Sequence, residues 1–144
     1  MSQQQGLRAF GVELFDRWTA MWNGNTDLAL EIMAPWFMLR YAQANTEFFD
    51  DVHTPAELID IIKRWHVLRP GIEFAAEGDA AIDLMTIDGM PAGRVAHPYL
   101  AVFTDPAGQR IARSGIDMLA VRAGRISEVW SVSSGTGGRM FYRR

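Results

Sequence analysis

Asp117 is the residue of this chain best suited to carry chemistry. It lies between Ile116 and Met118, in a segment whose apolar side chains indicate a buried strand. A carboxyl among apolar groups is disfavoured as an anion, so we expect its pKa to be raised. Such a group can exchange a proton with a ligand or donate a hydrogen bond to an oxyanion. The alternative is a structural aspartate paired with Arg113 or Arg40.

His97 and Tyr41 are the candidate partners of Asp117. The short turn at 105–108 places residues 96–98 roughly opposite Asp117 in an antiparallel strand pair. Strict alternation points His97 to the other face, as a surface or interface histidine, and a β-bulge would bring it to Asp117. A His–Asp pair is suited to acid–base work near pH 7.

The sequence lacks the patterns that hold common cofactors. There is no cysteine, and the three histidines have no metal-binding spacing, so we expect no metal. The glycines at 135–138 follow a strand but open no helix, and no GxSxG motif is present. The chemistry is therefore expected to need no cofactor.

Aromatic side chains are expected to wall a pocket for a flat or cyclic hydrophobic molecule. The commoner fate of such residues is ordinary core, and both roles are expected here. Trp18, Tyr41 and Trp130 are the strongest candidates for lining. The predicted substrate-binding residues are Trp18, Trp22, Phe37, Trp65, Tyr99 and Trp130.

Apolar periodicity predicts helices first and strands afterwards. Helices are predicted over residues 4–23, from Thr26 to 33, and from the capping box that Thr54 and Glu57 form. Strands with short turns follow, and short turns make antiparallel neighbours. The predicted strands are 36–42, 72–77, 80–87, 94–104, 110–122 and 125–133.

This order predicts an α+β fold, with three N-terminal helices on a curved, mostly antiparallel sheet. Residues 1–144 are predicted to form one domain, with a core over about 8–133 and a flexible C-terminal tail. In the strand 114–121 both faces carry apolar groups, so we expect both to be covered. A second copy of the chain is the favoured cover, giving a homodimer, and a loop or the tail is the alternative.

Charge and hydropathy exclude two classes of partner. The net charge is −3 and there is one lysine, without a basic stripe, so nucleic-acid binding is not expected. No apolar run approaches the roughly 20 residues of a membrane span. The start has no apolar core of signal-peptide type, which predicts a cytoplasmic protein.

Two strings resemble the nuclear-transport-factor-2-like superfamily, in particular its SnoaL-like polyketide cyclases and ketosteroid isomerase-like branch. They are RWTAMWNGNTDLALEIMAPWFMLRYA at 17–42 and GIDMLAVRAGRISEVW at 115–130. The resemblance covers about residues 8–133 and implies a cone-shaped α+β barrel, a pocket between helices and sheet, and frequent dimerisation. Asp117 matches a pocket aspartate that holds an oxyanion in the isomerases and acts as an acid in related hydrolases and cyclases.

The chain departs from the catalytic patterns of these branches. Trp18 and Tyr41 stand where the isomerases have a tyrosine donor and an aspartate base. Gly115 stands where the epoxide hydrolases of this superfamily have an arginine, and no aspartate is found at 130–133. Steroid isomerase and epoxide hydrolase chemistry are therefore not expected.

The favoured function is a cofactor-free enzyme acting on a small hydrophobic carbonyl compound. Asp117 would be the general acid/base or oxyanion donor, and the reaction a cyclisation, isomerisation or dehydration. Two alternatives are a non-catalytic small-ligand-binding or accessory dimeric domain, and a purely structural dimerisation domain.

Overall fold

Three helices pack on one face of a curved, six-stranded sheet in the computed structural model, which describes residues 2–142. The helices are α1 (Gln3–Trp22), α2 (Ala29–Ile32) and α3 (Pro55–Leu68), with 3₁₀ turns at Thr26–Leu28 and Glu47–Asp51. The strands are β1 (Met33–Tyr41), β2 (Glu73–Ala76), β3 (Ala81–Ile87), β4 (Met90–Thr104), β5 (Arg110–Arg122) and β6 (Arg125–Ser133). The α+β architecture predicted from the sequence is confirmed.

Capping boxes begin both long helices. In α3 the Thr54 hydroxyl accepts from the Glu57 N–H at 3.3 Å, and the Glu57 carboxylate accepts from the Thr54 N–H at 3.1 Å. Ser2 and Gln5 make the same pair of bonds at the start of α1, which the sequence analysis did not identify. Each box satisfies two backbone donors that a helix start leaves unpaired.

The sheet has the strand order β1-β6-β5-β4-β2, with β3 also paired to β4. The β1–β6 pair is parallel and the other pairs are antiparallel. Because β1 and β2 remain as edges, the sheet is unclosed.

The link between β2 and β3 differs from its prediction. The predicted strands 72–77 and 80–87 were expected to be antiparallel neighbours, because only the two residues Gly78 and Asp79 separate them. Instead β2 pairs with residues 99–102 of β4 and β3 with residues 90–96, so both run in the same direction along one edge. Gly78 has a φ of 68°, and β4 is 15 residues long, which is enough for two short strands end to end.

The inner face of β4, β5 and β6 carries the core. Val95, Leu119 and Val129 are directly opposite one another in the register and are fully buried. Side chains of α1 such as Phe15 and Trp18 cover them, each about 1% exposed. This packing fixes α1 against the middle of β5, where Asp117 lies.

The chain after β6 returns to β5. The Ser134 N–H donates to the Ser114 carbonyl at 2.8 Å, and the Ser114 N–H donates to the Arg139 carbonyl at 3.2 Å. The flexibility of this tail stays a prediction, and residues 143 and 144 lie outside the described residues. Within residues 2–142, no helix combines the length and hydropathy that crossing a membrane requires.

The capping box at Thr54 gives a test of the fold. Thr54→Ala removes the acceptor of the Glu57 N–H and should lower the free energy of unfolding by about 1 kcal/mol. Thr54→Ser keeps a hydroxyl at the cap and should retain most of the stability. Urea titration of the three proteins measures this, and an equal loss in the serine variant would contradict the capping role.

Candidate functional site

Asp117 lies buried in the middle of β5 and faces α1. The Trp18 indole N–H donates to its Oδ2 at 2.9 Å, across 99 residues of sequence. Its Oδ1 is buried and has no hydrogen-bond partner within residues 2–142. The ion pairs of this part of the chain are Arg17–Glu31 and Arg40–Glu128. The alternative of an Asp117–arginine pair is therefore contradicted.

Burial raises the pKa of Asp117 to about 6, although the Ser131 hydroxyl and the Trp18 N–H beside it oppose the shift. The Asp117 carboxyl is therefore mostly ionised at pH 7, and its pKa is close enough to this pH for it to accept and return a proton.

Strand register assembles the groups around Asp117. Its direct cross-strand neighbours are His97 on β4 and Ser131 on β6. Ser131 in turn is paired with Tyr41 of β1, so four strands meet at this level of the sheet. Direct cross-strand partners place their side chains on the same face, so all four side chains point toward the helices.

His97 therefore lies on the inner face, and the alternation argument that placed it on the other face was wrong. Its pairing with Asp117 needs no bulge, because the β4–β5 register is continuous. The ring stacks on Phe15 with centroids 4.9 Å apart, and Nδ1 donates to the Pro98 carbonyl at 2.8 Å. Within the described residues His97 makes no hydrogen bond to Asp117, so the structure does not form a direct His–Asp pair.

Two phenols lie on either side of the carboxyl, that of Tyr99, which is buried, and that of Tyr41, which is partly buried. Burial raises the pKa of Tyr41 and of Tyr99, and the negative charge of Asp117 raises both further. Both groups therefore keep their protons near pH 7 and can act as hydrogen-bond donors. Gly115 makes room for one of them, since a Cβ there would collide with the Tyr99 hydroxyl and lie 2.7 Å from the Val132 carbonyl.

A cavity of about 580 Å³ opens in front of Asp117. α1 provides Trp18 and Trp22, the sheet provides Tyr99 and Ser131, and the loop after β1 provides Gln43. Its far end is formed by the end of α3, the start of β5 and the tail residues 135–136. Volume and lining are those of a small-molecule pocket.

The buried polar atoms that lack hydrogen bonds all belong to residues that line this cavity. Within residues 2–142 they are Trp22 Nε1, Trp65 Nε1, Gln43 Oε1 and Asp117 Oδ1. An unsatisfied buried polar group costs about 1–3 kcal/mol, so native proteins rarely keep one without a reason. One cavity thus contains two donors and two acceptors without hydrogen bonds. This pattern is typical of a site in which a polar ligand supplies the missing partners.

The structure distributes the predicted aromatic residues over three environments. Trp18, Trp22, Trp65 and Tyr99 line the cavity. Phe37 is fully buried in the core and does not line it. Trp130 points to the opposite face of the sheet, with the Arg94 guanidinium 5.3 Å from its ring, which corrects its assignment to the pocket. The reason is the register shift between Ala120 and Val121, which places Ser131 opposite Asp117 and turns Trp130 to the outer face.

Several pocket residues were absent from the sequence prediction. Ser131 could not be found from the short turn at 123–124, because that turn alone would pair Asp117 with Trp130. A register shift between Ala120 and Val121 brings Ser131 opposite Asp117 instead. Gln43 is held by a loop in which the Thr46 hydroxyl donates to the Gln43 carbonyl at 2.6 Å, and no periodic pattern marks such a loop. Arg69 follows the end of α3, so its place depends on tertiary packing.

The other histidines have structural partners. His53 Nδ1 lies 2.9 Å from the Phe37 carbonyl, and the ring stacks on Trp36. His66 Nε2 lies 2.6 Å from the Trp22 carbonyl. In the part of the chain that the structure describes, no group of three histidine, aspartate or glutamate side chains is placed to hold a metal ion.

The raised pKa of Asp117 predicts how stability depends on pH. A carboxyl with a higher pKa in the folded than in the unfolded chain contributes stability below about pH 4 and loses it as the pH rises through 6. Asp117→Asn removes the buried charge and should stabilise the protein at pH 8 by about 1–3 kcal/mol. The gain should fade toward pH 4.

Urea titrations at pH 8 and pH 4 measure this difference. Asp60→Asn, at an exposed position on α3, is the matched control and should change stability by less than about 0.5 kcal/mol at either pH. A loss of stability in Asp117→Asn at pH 8 would show that the carboxylate supports the fold.

Solved structures share this architecture at low sequence identity. A candidate polyketide cyclase from Acidithiobacillus ferrooxidans is 16% identical and has a TM-score of 0.68, over 89% of this chain and 90% of that one. A candidate SnoaL-like polyketide cyclase from Jannaschia is also 16% identical, with a TM-score of 0.64 over 92% and 89%. An NTF2-like protein of unknown function from Cytophaga hutchinsonii is 9% identical, with a TM-score of 0.60 over 88% and 98%.

No family model and no curated protein matches the sequence of this chain. The likeness to solved structures nevertheless spans about nine tenths of each chain. The chain therefore has the nuclear-transport-factor-2-like fold.

Proposed function

We propose that this protein is a cofactor-free enzyme that moves a proton at an enolisable position of a small hydrophobic carbonyl compound. The reaction is of the cyclase, isomerase or dehydratase type, and Asp117 is the general base. The observation that carries the proposal is the unpartnered Asp117 Oδ1 in a cavity walled by aromatic side chains.

The environment of Asp117 suits a base better than a permanent acid. With a pKa of about 6, most of the carboxyl is ionised at pH 7, and the Trp18 N–H stabilises the charge on Oδ2. Oδ1 stays free to take a proton from carbon. A general base works best when its pKa lies near the operating pH, and such catalysis contributes about 10²–10⁴-fold.

The negative charge that forms on the ligand oxygen also needs donors. The phenols of Tyr41 and Tyr99 keep their protons, and the N–H groups of Trp22 and Trp65 have no protein partner in the described residues. Fixed donors in a cavity with little water stabilise a developing oxyanion more strongly than water does. Trp18 is excluded from this role because its N–H already binds Asp117.

The candidate polyketide cyclases with the same fold support this proposal as an analogy of architecture. Small-molecule chemistry without a cofactor fits the residues that line the cavity. In this proposal His97 positions β4 and α1 through its ring stack and does not transfer a proton.

Hydrogen–deuterium exchange tests the proposal without knowledge of the natural substrate. Cyclic ketones, β-keto esters and hydroxylated aromatic ketones are incubated in D₂O with the protein, and loss of the α-proton signal is followed by NMR. The wild type should accelerate exchange of at least one class, and Asp117→Asn should reduce that acceleration about 10²–10⁴-fold. The rate should rise with pH through 6 and then level.

Asp60→Asn again serves as the matched control and should exchange at the wild-type rate. Binding of these compounds without exchange would favour the alternative, a non-catalytic ligand-binding or accessory domain. An acceleration that survives in Asp117→Asn would contradict the role of this carboxyl.

We also propose that the chain forms a homodimer through the outer face of the sheet. Met38, Met118 and Trp130 line an apolar groove of about 650 Å³ on this face. Ile116 and Val132 on its floor are 41% and 48% exposed. An exposed sheet face of this composition needs a cover, and a second copy of the chain presents a surface of the same kind.

Light scattering coupled to gel filtration tests the dimer. The wild type should have twice the chain mass, and Ile116→Glu, which places a charge in the groove, should shift it to the monomer. Val67→Glu, at a 76% exposed site on α3, should leave the mass unchanged. A monomeric wild type at micromolar concentration would exclude this interface.

A further inference from the structure

Two arginines stand at the end of the cavity away from Asp117. Arg69 follows α3, Arg113 lies on β5, and both line the cavity. Their guanidinium carbons are 5.3 and 5.4 Å from the centre of the same ring, that of Phe103. Arg69 also lies 4.4 Å from the ring of Trp65. Two cations are therefore gathered around one aromatic side chain.

Neither arginine has an acidic partner in residues 2–142. The ion pairs of this part of the chain involve Arg17 and Arg40, and no side-chain hydrogen bond from Arg69 or Arg113 is formed. Burial lowers the pKa of Arg69, and the charge of Arg113 lowers it further. Like charges held together at a partly buried site favour the binding of an anion between them.

Strand geometry relates these cations to the proposed base. Residues 113 and 117 are four positions apart on β5, so both side chains point to the inner face. A strand rises about 3.3 Å per residue, which separates the two positions by about 13 Å. A ligand that reaches both ends must be elongated, and the aromatic wall between them suits a ring system.

We propose that the cavity binds an aromatic or polycyclic carboxylate, with the carboxylate held between Arg69 and Arg113 and the ring system directed toward Asp117. The planar guanidinium fork matches a carboxylate in two parallel hydrogen bonds, which a lysine could not provide. The placement of an enolisable carbon at Asp117 rests on the proposed function, whereas the anion subsite does not.

Paired probes test the subsite by binding alone. 2-Naphthoate and 4-(pyren-1-yl)butyrate are each compared with their methyl esters by calorimetry at low ionic strength. For at least one pair the wild type should bind the acid about tenfold or more tightly than the ester. Arg69→Gln and Arg113→Gln should each remove most of this preference and leave ester binding unchanged.

Arg94→Gln is the matched control, because Arg94 also lies over an aromatic ring but on the opposite face of the sheet. It should keep the wild-type preference. In the wild type the preference should also weaken as salt is added, which tests the charge without a substitution. Naphthyl phosphate is a further probe, and its affinity shows whether the subsite selects a carboxylate or binds any oxyanion.

Asp117→Asn separates this inference from the proposed function. The variant should bind the acid with its preference intact even if it catalyses no exchange, and failure of exchange in the wild type would leave the anion subsite standing. Equal affinity for acid and ester in both pairs, or no binding of either, would overturn the inference. So would a preference that persists in the Arg69→Gln/Arg113→Gln double variant.

Discussion

The hydrogen bond from the Trp18 indole to the Asp117 carboxylate is the interaction on which the site depends. It joins the first helix to the middle of the fifth strand, and it satisfies one carboxylate oxygen while the other stays open. The core around α1 excludes water, and this exclusion keeps the pKa of the carboxyl near 6. A fold that keeps such a group sacrifices stability at neutral pH, which is the usual compromise at working sites.

The polar groups of the cavity differ from one end to the other. The carboxylate and the phenols lie at one end, and the indole N–H groups of Trp22 and Trp65 lie along the wall. At the other end lie two arginines that have no acidic partner within residues 2–142. A domain with a purely structural role would be more stable with a filled apolar core than with this cavity. The arrangement instead fits a ligand that is flat, polar at defined points and anionic at one end.

The sequence predicted local structure more accurately than the partners of the site. Alternation placed β5 and β6 at their observed bounds, and the Thr54 capping box marked the start of α3. Asp117 was identifiable because a charged residue inside an apolar strand is rare. His97 was assigned to the wrong face, since one residue of register reverses a side chain and the sequence alone does not fix register. Gln43 and Arg69 were not predicted, because their places depend on a loop and a helix end.

The state of the Asp117 carboxyl is the central claim, and carbon-13 NMR of the aspartate side chains measures it most directly. The Asp117 resonance is assigned by its absence in Asp117→Asn and followed as the pH changes. The structure predicts that it titrates near pH 6, above the ordinary value of 3.8. Titration near 4 would contradict the account, because the carboxyl would then be solvated or paired and no longer poised to act as a base near neutral pH.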